Sequence, residues 1–349
     1  MATKIPSEMR ALVLEQYRED AHDAIDRLQL ATRPVAMPGR GQVLVKIEAA
    51  PCNPSDLLLL VGKYGTLKKL PTVPGWEGTG TVVKSGGGLL ARLLSGKRVA
   101  CGLQGDRDGT WAEYFLADAD NCVPLKNELP IEQAASLVIN PMTAVGLLDT
   151  ARRDGHRAAV HTAGASQVGR MLIALARKAG FPLIPVVRRQ EQVELLRSVG
   201  AKDTLNSSDA DFADQLRDLC AKRKATAAFE AIAGDMTGII AGALPPDSSI
   251  YLYGALSETA CGNIDPIDVI FRNKTLRGFY LGHWVQQQGL IRLFRLGRHV
   301  QQMLIDGAIA SDVQRKVPLE QAQAGLRRYL DHMTDGKVLI TPGMEAEQE

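Results

Sequence analysis

Residues 159–180, AVHTAGASQVGRMLIALARKAG, run from a short apolar segment through a turn of small residues into an amphipathic helix, a succession that few folds can accommodate. Ala159, Val160 and His161 read as the end of a buried strand. Gly164, Ser166 and Gly169 stand at the three small-residue positions of G-x-G-x-x-G. Those positions serve a sharp turn, close approach of backbone to a pyrophosphate, and tight packing of helix on strand. Beyond them Leu172, Leu175, Ala176 and Ala179 recur at i, i+3, i+4 and i+7. The helix therefore lays one face on a sheet and aims its N-terminal amides at the turn, where an anion is stabilised. Gly180 and Pro182 end it. Gly164, Ala165, Ser166, Gln167 and Val168 are thus candidate ligands of a dinucleotide, and the plainer alternative is a strand-to-helix turn with no ligand. Serine at the middle position departs from the strict glycine pattern.

The chain has 349 residues, more than one ordinary core, so two domains are expected. A net charge of +2 provides no electrostatic reason to expect nucleic acid or an anionic membrane as partner, and a small molecule is the default. Cys52, Cys101, Cys122, Cys220 and Cys261 are scattered without a C-x-x-C, signalling neither a disulfide framework nor a four-cysteine zinc site. The opening MATKIPSEMR lacks a signal-peptide core, and no run reaches the ~18–20 apolar residues of a membrane span. A cytoplasmic protein is expected. The closing MEAEQE reads as an acidic tail.

Strands are expected at residues 9–15, 42–50, 79–84, 96–102 and 110–117, with Val43, Val45 and Ile47 sharing a face. Residues 16–41 read as a connector, and Asn53-Pro54 as a turn before a short helix capped by Ser55 or Asp56. The glycines at 75, 78 and 80 mark tight backbone packing. From Glu132 the texture becomes helical, with Pro141 kinking or restarting the helix. After the glycine turn, strands near 183–187, 203–206, 226–232 and 250–253 alternate with helices near 190–199, 208–221 and 236–243, the pattern of a doubly wound parallel sheet. Pro185 demands a bulge or a shorter strand, because it has no N–H for the ladder. A helix over 288–306 follows, then a helix and a last strand that return to the first domain and cover its sheet edge.

The ordered set NPSD, GKYG, PGWEGTG, GTWAEYF, INPMTA, the glycine turn, LYGALS, TLRGFYLGHW and GKVLI spans nearly the whole chain. It resembles the zinc-independent branch of the medium-chain dehydrogenase/reductase superfamily, which holds quinone oxidoreductases and 2-enoyl thioester reductases. The resemblance implies an α/β protein made of a GroES-like β-rich catalytic domain, residues 1–139 and 286–349, and a Rossmann domain with a doubly wound parallel sheet, residues 140–285. It also implies an active site in the cleft between them and a homodimer joined through the Rossmann sheet edge. Zinc-dependent relatives carry histidine ahead of the glutamate in G-H-E-x-x-G, where this chain has Trp76, and cysteine and a small polar residue where it has Asn53 and Ser55. The six histidines show no ligand spacing, so no metal is expected, and Cys52 reads as a small core residue.

Without a Lewis acid, the expected acceptor is a quinone or a C=C conjugated to a carbonyl. Reduction of that double bond leaves an enolate whose α carbon needs a proton. Tyr64 matches the tyrosine that supplies it in enoyl thioester reductases, and a phenol with an ordinary pKa of about 10 stays protonated at neutral pH. A loop aromatic is the plainer reading of Tyr64, since quinone reductases often have tyrosine there too. Asn53 resembles the family asparagine beside the nicotinamide; its plainer reading is the start of the Asn-Pro turn. Arg188 and Arg189, with no acid at the tip of the second Rossmann strand, favour a 2′-phosphate and hence NADPH, although Glu191 follows closely. The resemblance further assigns Thr143, Gly254, Ala255, Leu256, Phe279, Leu281 and Lys337 to the cofactor, and marks Gln167 as a departure from glycine. Lys63, Lys68 and Lys69 are candidates for a coenzyme A phosphate. The rival reading is a nucleotide-binding sensor of the same fold without turnover.

Overall fold

Val43, Val45 and Ile47 do share a face and are buried in one core, in a computed structural model that describes residues 5–102 and 105–345. The last four residues of the acidic tail lie outside the described residues. The chain divides into two compact units, residues 1–139 with 289–349, and residues 140–288.

In the first unit, strand Gln42–Pro51 is the organising element, because its length lets it pair on both edges and along its whole run. Glu77–Ser85 and Tyr114–Asp118 lie antiparallel to it, and Arg98–Gly102 and Cys122–Pro124 extend the sheet. The return of the chain is seen: Lys337–Ile340 pairs antiparallel through Leu339 with Pro51 and Ile340 with Ala50. Outside it a further strand, Val313–Val317, runs parallel, which the polar and basic centre of VQRKV concealed. Helix Ala322–Asp331 sends Leu326 and Tyr329 into the core with Leu12, Leu60, Trp111 and Phe115, at roughly 1.5–3 kcal/mol for each such fully buried large side chain. Gly80 shows why a side chain is excluded where strands meet: a Cβ there would lie 2.0 Å from the Lys46 carbonyl oxygen.

Two expectations need correction here. Residues 16–41 are more than a connector: they hold helix Ala21–Asp26, capped by the Asp20 side chain, and strand Gln29–Pro34, which pairs with Glu8–Val13. The helix after the Asn-Pro turn spans Pro54–Leu60 and starts from Asn53, not Ser55 or Asp56. Asp56 instead reaches back from the helix's first turn to the Asn53 N–H, as the acidic member of a capping box.

The second unit is a six-stranded, all-parallel sheet in the order Leu205–Asn206, Leu183–Val187, Ala159–His161, Ala227–Glu230, Ser249–Leu252, Thr275–Gly278. Ile184, Val186, Ala228 and Ile250 face helices Phe212–Arg223 and Asp235–Ala243. Val187 on the opposite face joins Ile173, Val193 and Leu196 of helices Gln167–Lys178 and Gln190–Ser198. Helices on both faces are what a parallel sheet requires. Pro185 causes no bulge: it pairs in register with His161. The Val186 carbonyl accepts from Gly164 N at 3.0 Å, so its neighbour Pro185 turns its imide to the other side, where the short strand Leu205–Asn206 begins pairing only at Val186. Thr275–Gly278 was not foreseen as a strand; all four of its residues are exposed at the sheet edge, so no apolar alternation announces it.

Candidate functional site

The order of the parallel sheet reverses direction between Ala159–His161 and Ala227–Glu230, and ligands of open α/β sheets bind outside the carboxyl ends of the strands at such a point. The glycine turn lies there. Its left-handed residue is Ala163, with φ 51°, rather than Gly164. Gly164 is small for another reason: a Cβ would stand 2.9 Å from Pro185 Cβ and 3.2 Å from Leu196 Cδ1. At Gly169 the added atom would lie 2.4 Å from the Gly164 carbonyl oxygen, so helix and turn touch backbone to backbone. Ser166, the departure from the fingerprint, is the helix N-cap, and its Oγ accepts from Gly169 N at 3.1 Å. Gln167, the first residue of the helix, is buried.

Glu230 fixes the other side of the switch point. Its fully buried carboxylate accepts from Thr162 Oγ1 at 3.0 Å, Ile232 N at 2.7 Å, Ala233 N at 2.8 Å and Thr237 Oγ1 at 2.9 Å. The segment after strand Ser249–Leu252 runs along that pinned loop: Leu256 N donates to Ala231 O at 3.0 Å, and a Cβ on Gly254 would lie 2.8 Å from the same oxygen. Gly254, Ala255 and Leu256 therefore lie at the sheet's carboxyl edge, with Ala255 and Leu256 exposed. Thr143 is buried in the first turn of helix Asn140–Arg153, and Gly146 on that helix contacts the Phe279 ring. Leu281 is buried at the start of its own short helix. Complete burial lowers the His161 pKa to about 3, and its Nε2 pairs with the Tyr253 hydroxyl at 2.9 Å.

Arg188 and Arg189 follow strand Leu183–Val187 directly and are both exposed. Their backbone amides share Gln192 Oε1, each at 3.3 Å, and Ser208 Oγ holds the Arg188 carbonyl at 2.8 Å. No carboxylate engages either guanidinium among the described residues. Ser207 and Ser208, brought beside the arginines by the Leu205–Asn206 strand, escaped the sequence reading because only sheet order makes them neighbours.

The first unit contains a buried polar cluster that the motifs did not reveal. Lys337 Nζ donates to Asn53 Oδ1 at 2.7 Å, to Cys52 O at 3.1 Å and to Tyr329 Oη at 3.2 Å. With all three protons taken within the protein and 2% of its surface exposed, Lys337 is a member of this cluster. Asn53, 1% exposed, passes the chain on through Nδ2 to Glu77 Oε1 at 3.0 Å. Glu77 Oε2 accepts from Val138 N and Ile139 N, both at 2.9 Å. Burial pushes Glu77 up to about 7, against the pull of its hydrogen bonds and Lys337. Asp56 is pushed by burial to about 6 while it accepts from Asn53 N and, at 2.9 Å, from Trp76 N. Burial lowers Lys337, and it raises Cys52 well above the ordinary thiol range, so Cys52 is an inert core thiol.

Tyr64 packs against Trp76 with ring centroids 4.6 Å apart and the planes tilted by 37°, and Trp76 donates from Nε1 to Ser55 O at 3.1 Å. Lys68 covers a Trp76 ring at 4.7 Å and donates to Arg107 O at 2.6 Å. Burial brings Lys68 down to about 8 and leaves it 3% exposed, whereas Lys63 and Lys69 are exposed. Among the described residues no group of three or more His, Cys, Asp or Glu side chains is placed to hold a metal ion, and no helix is long and apolar enough to cross a membrane.

The alcohol dehydrogenase GroES-like domain family matches residues 39–127, and the zinc-binding dehydrogenase family matches residues 168–295. A Mesorhizobium loti protein assigned as an NADPH:quinone reductase is 35% identical, with a TM-score of 0.90 over 97% of this chain and 100% of that one. The mitochondrial enoyl-acyl-carrier-protein reductase of Caenorhabditis elegans is 28% identical over 318 residues, 88% of this chain and 90% of that protein. A complex of Etr1p with NADP and crotonyl coenzyme A, 21% identical, shares the fold with a TM-score of 0.79 over 96% of this chain and 99% of that one.

Proposed function

This chain belongs to the medium-chain dehydrogenase/reductase superfamily, in the branch of quinone and enoyl reductases, and is an oxidoreductase; on that premise we propose that it is a metal-free, NADPH-dependent reductase of a quinone or an α,β-unsaturated carbonyl. The observation that carries the reading is the sheet's carboxyl edge, where a side-chain-free cradle at Gly169 adjoins the switch point and two arginines without carboxylate partners follow the next strand. The cradle suits a pyrophosphate and the arginines a 2′-phosphate. The bound dinucleotide supplies a hydride.

The rest of the chemistry falls to side chains. Hydride at the β carbon of a conjugated C=C leaves an enolate, and one proton at the α carbon completes the reduction; a quinone takes hydride and a proton to become a hydroquinone. Tyr64 is the proton donor in this reading. What supports it is its tilted packing against Trp76, which holds the ring while leaving it partly exposed. Asn53 offers a hydrogen bond to a carbonyl oxygen. Purified protein mixed with NADPH and either crotonyl coenzyme A or 1,4-benzoquinone tests the proposal through loss of absorbance at the nicotinamide band. Consumption with one acceptor names the substrate class. NADPH binding without consumption of either would favour the sensor.

Tyr64→Phe is expected to lower kcat for the enoyl substrate about 10²-fold with little change in NADPH affinity, the range of general acid catalysis. Full activity in that variant would remove Tyr64 from the mechanism.

A homodimer through the sheet edge is part of the same proposal. Among the described residues the edge strand Thr275–Gly278 is unpaired on one side; it carries Leu276 (42% exposed), and Ile270 (67%) and Phe271 (75%) shortly precede it, more apolar surface than a solvated edge carries. Sedimentation is expected to give about twice the 37.7 kDa chain mass, and Phe271→Glu with Leu276→Lys to give the monomer. A monomeric wild type would refute it.

A further inference from the structure

Asn53 stands between two groups of single hydrogen-bonding sense. An ammonium can only donate, and Glu77 accepts at both of its oxygens, from Asn53 Nδ2 at one and from the Val138 and Ile139 N–H groups at the other. Lys337 Nζ meets the oxygen of the carboxamide at 2.7 Å, and Glu77 Oε1 meets its nitrogen at 3.0 Å. Both ends are themselves tied down. The remaining Lys337 protons go to Cys52 O and Tyr329 Oη, and Glu77 Oε2 is held by the N–H groups of Val138 and Ile139. Neither end can rotate away without leaving those partners unpaired in a region closed to solvent. Turned over, the amide would set nitrogen against ammonium and oxygen against carboxylate.

We infer that Glu77 and Lys337 are positioning residues that lock the Asn53 carboxamide in one of its two flips, so that this position offers a ligand one remaining N–H and recognises a carbonyl-type oxygen. That oxygen belongs to the nicotinamide carboxamide or to the acceptor. The inference rests on Asn53 being a site residue in the proposed reductase. It gives a buried acid and a buried lysine, far apart in sequence, a shared task that the proton donor Tyr64 does not perform. Glu77 is the more telling partner, since its isosteric amide, glutamine, keeps the shape and loses the single sense. A glutamine must turn its NH2 either toward Asn53 or toward the two backbone N–H groups, and each choice sets donor against donor.

The test compares Glu77→Gln with Glu77→Asp. Were the role one of packing alone, the isosteric glutamine would be the better substitute. Positioning reverses that order, because aspartate still only accepts. Asparagine-selective 15N labelling provides a readout that needs no ligand: the chain has seven asparagines, and the Asn53 NH2 pair is the one lost in Asn53→Asp. In wild type this pair is expected to exchange with solvent at least tenfold more slowly than an exposed asparagine amide. In Glu77→Gln that protection falls at least tenfold, and kcat/KM falls about tenfold, while Glu77→Asp retains more of both. A rise in the NADPH dissociation constant assigns the oxygen to the nicotinamide. An unchanged dissociation constant with a raised acceptor KM or lowered kcat assigns it to the acceptor.

Glu77→Gln matching wild type within twofold in both readouts, with Glu77→Asp the worse, overturns the inference. So does an Asn53 pair in wild type that exchanges like an exposed amide, a result obtainable even if neither variant folds. A wild type that neither binds nor oxidises NADPH defeats the proposed function instead, and the ligand-free amide signal still reports on the lock.

Discussion

Gly169→Ala is expected to lower stability by about 1–3 kcal/mol and to weaken NADPH binding at least tenfold, although a helix-interior glycine usually gains about 1 kcal/mol from alanine. Two effects oppose each other, and space decides between them. The alanine methyl would stand 2.4 Å from the Gly164 carbonyl oxygen, 2.7 Å from its carbon and 2.8 Å from the Ala163 oxygen. All three are backbone atoms and cannot swing aside as a flexible side chain would. The helix must back away from the turn, and the close approach that a pyrophosphate needs is lost with it. Gly242 provides the control: it lies in helix Asp235–Ala243 with nothing within 4 Å of an added Cβ, so Gly242→Ala should stabilise by up to about 1 kcal/mol. Thermal melts of both variants with and without NADPH decide the matter. A Gly169→Ala protein that melts no lower than wild type and binds NADPH normally would mean that the turn is not the cradle argued for here.

The double variant Arg188→Ala, Arg189→Ala is expected to lose about 10²-fold in NADPH affinity while NADH affinity changes little. A charge-assisted hydrogen bond contributes about 1.5–3 kcal/mol, and the exposure of both side chains puts the pair at the lower end of its summed range. The proposed preference for NADPH should also shrink as ionic strength rises, since exposed charges are screened within roughly 10 Å at 0.1 M salt. Fluorescence titrations with the two nucleotides at two salt concentrations measure both effects. Glu191 defines the opposite outcome: it is exposed at the start of the following helix, and a wild type that prefers NADH would point to that carboxylate as the acceptor of the ribose hydroxyls.

Much of the second unit was readable before any coordinates, because its signals are local. A strand, a turn of small residues and a helix of period 3.6 each depend on neighbours within a few positions. Hence Ala159–His161 and the helix Gln167–Lys178 lie where periodicity predicts them, and the alternation that follows is a parallel sheet. The failures have a common cause too. Thr275–Gly278 is exposed on every residue, so it has no buried face to imprint a pattern. Helix Ala21–Asp26, of six residues, is too short for one.

The site of the first unit shows the limit more sharply. Residues 53, 77 and 337 each carried a motif of the resemblance, yet nothing in those motifs says that the asparagine spends its carboxamide between the other two. Nor does the lysine's position in GKVLI reveal that all its protons are taken by the protein itself. Amino-acid order alone determined the helices and strands with a clear period, the glycine turn and the absence of a histidine beside Glu77. Folding of distant segments onto one another decided which polar groups meet, which cation is sealed away and which arginines stay without a carboxylate. Backbone periodicity is short-ranged, whereas a hydrogen bond between side chains hundreds of residues apart exists only once the intervening chain has closed.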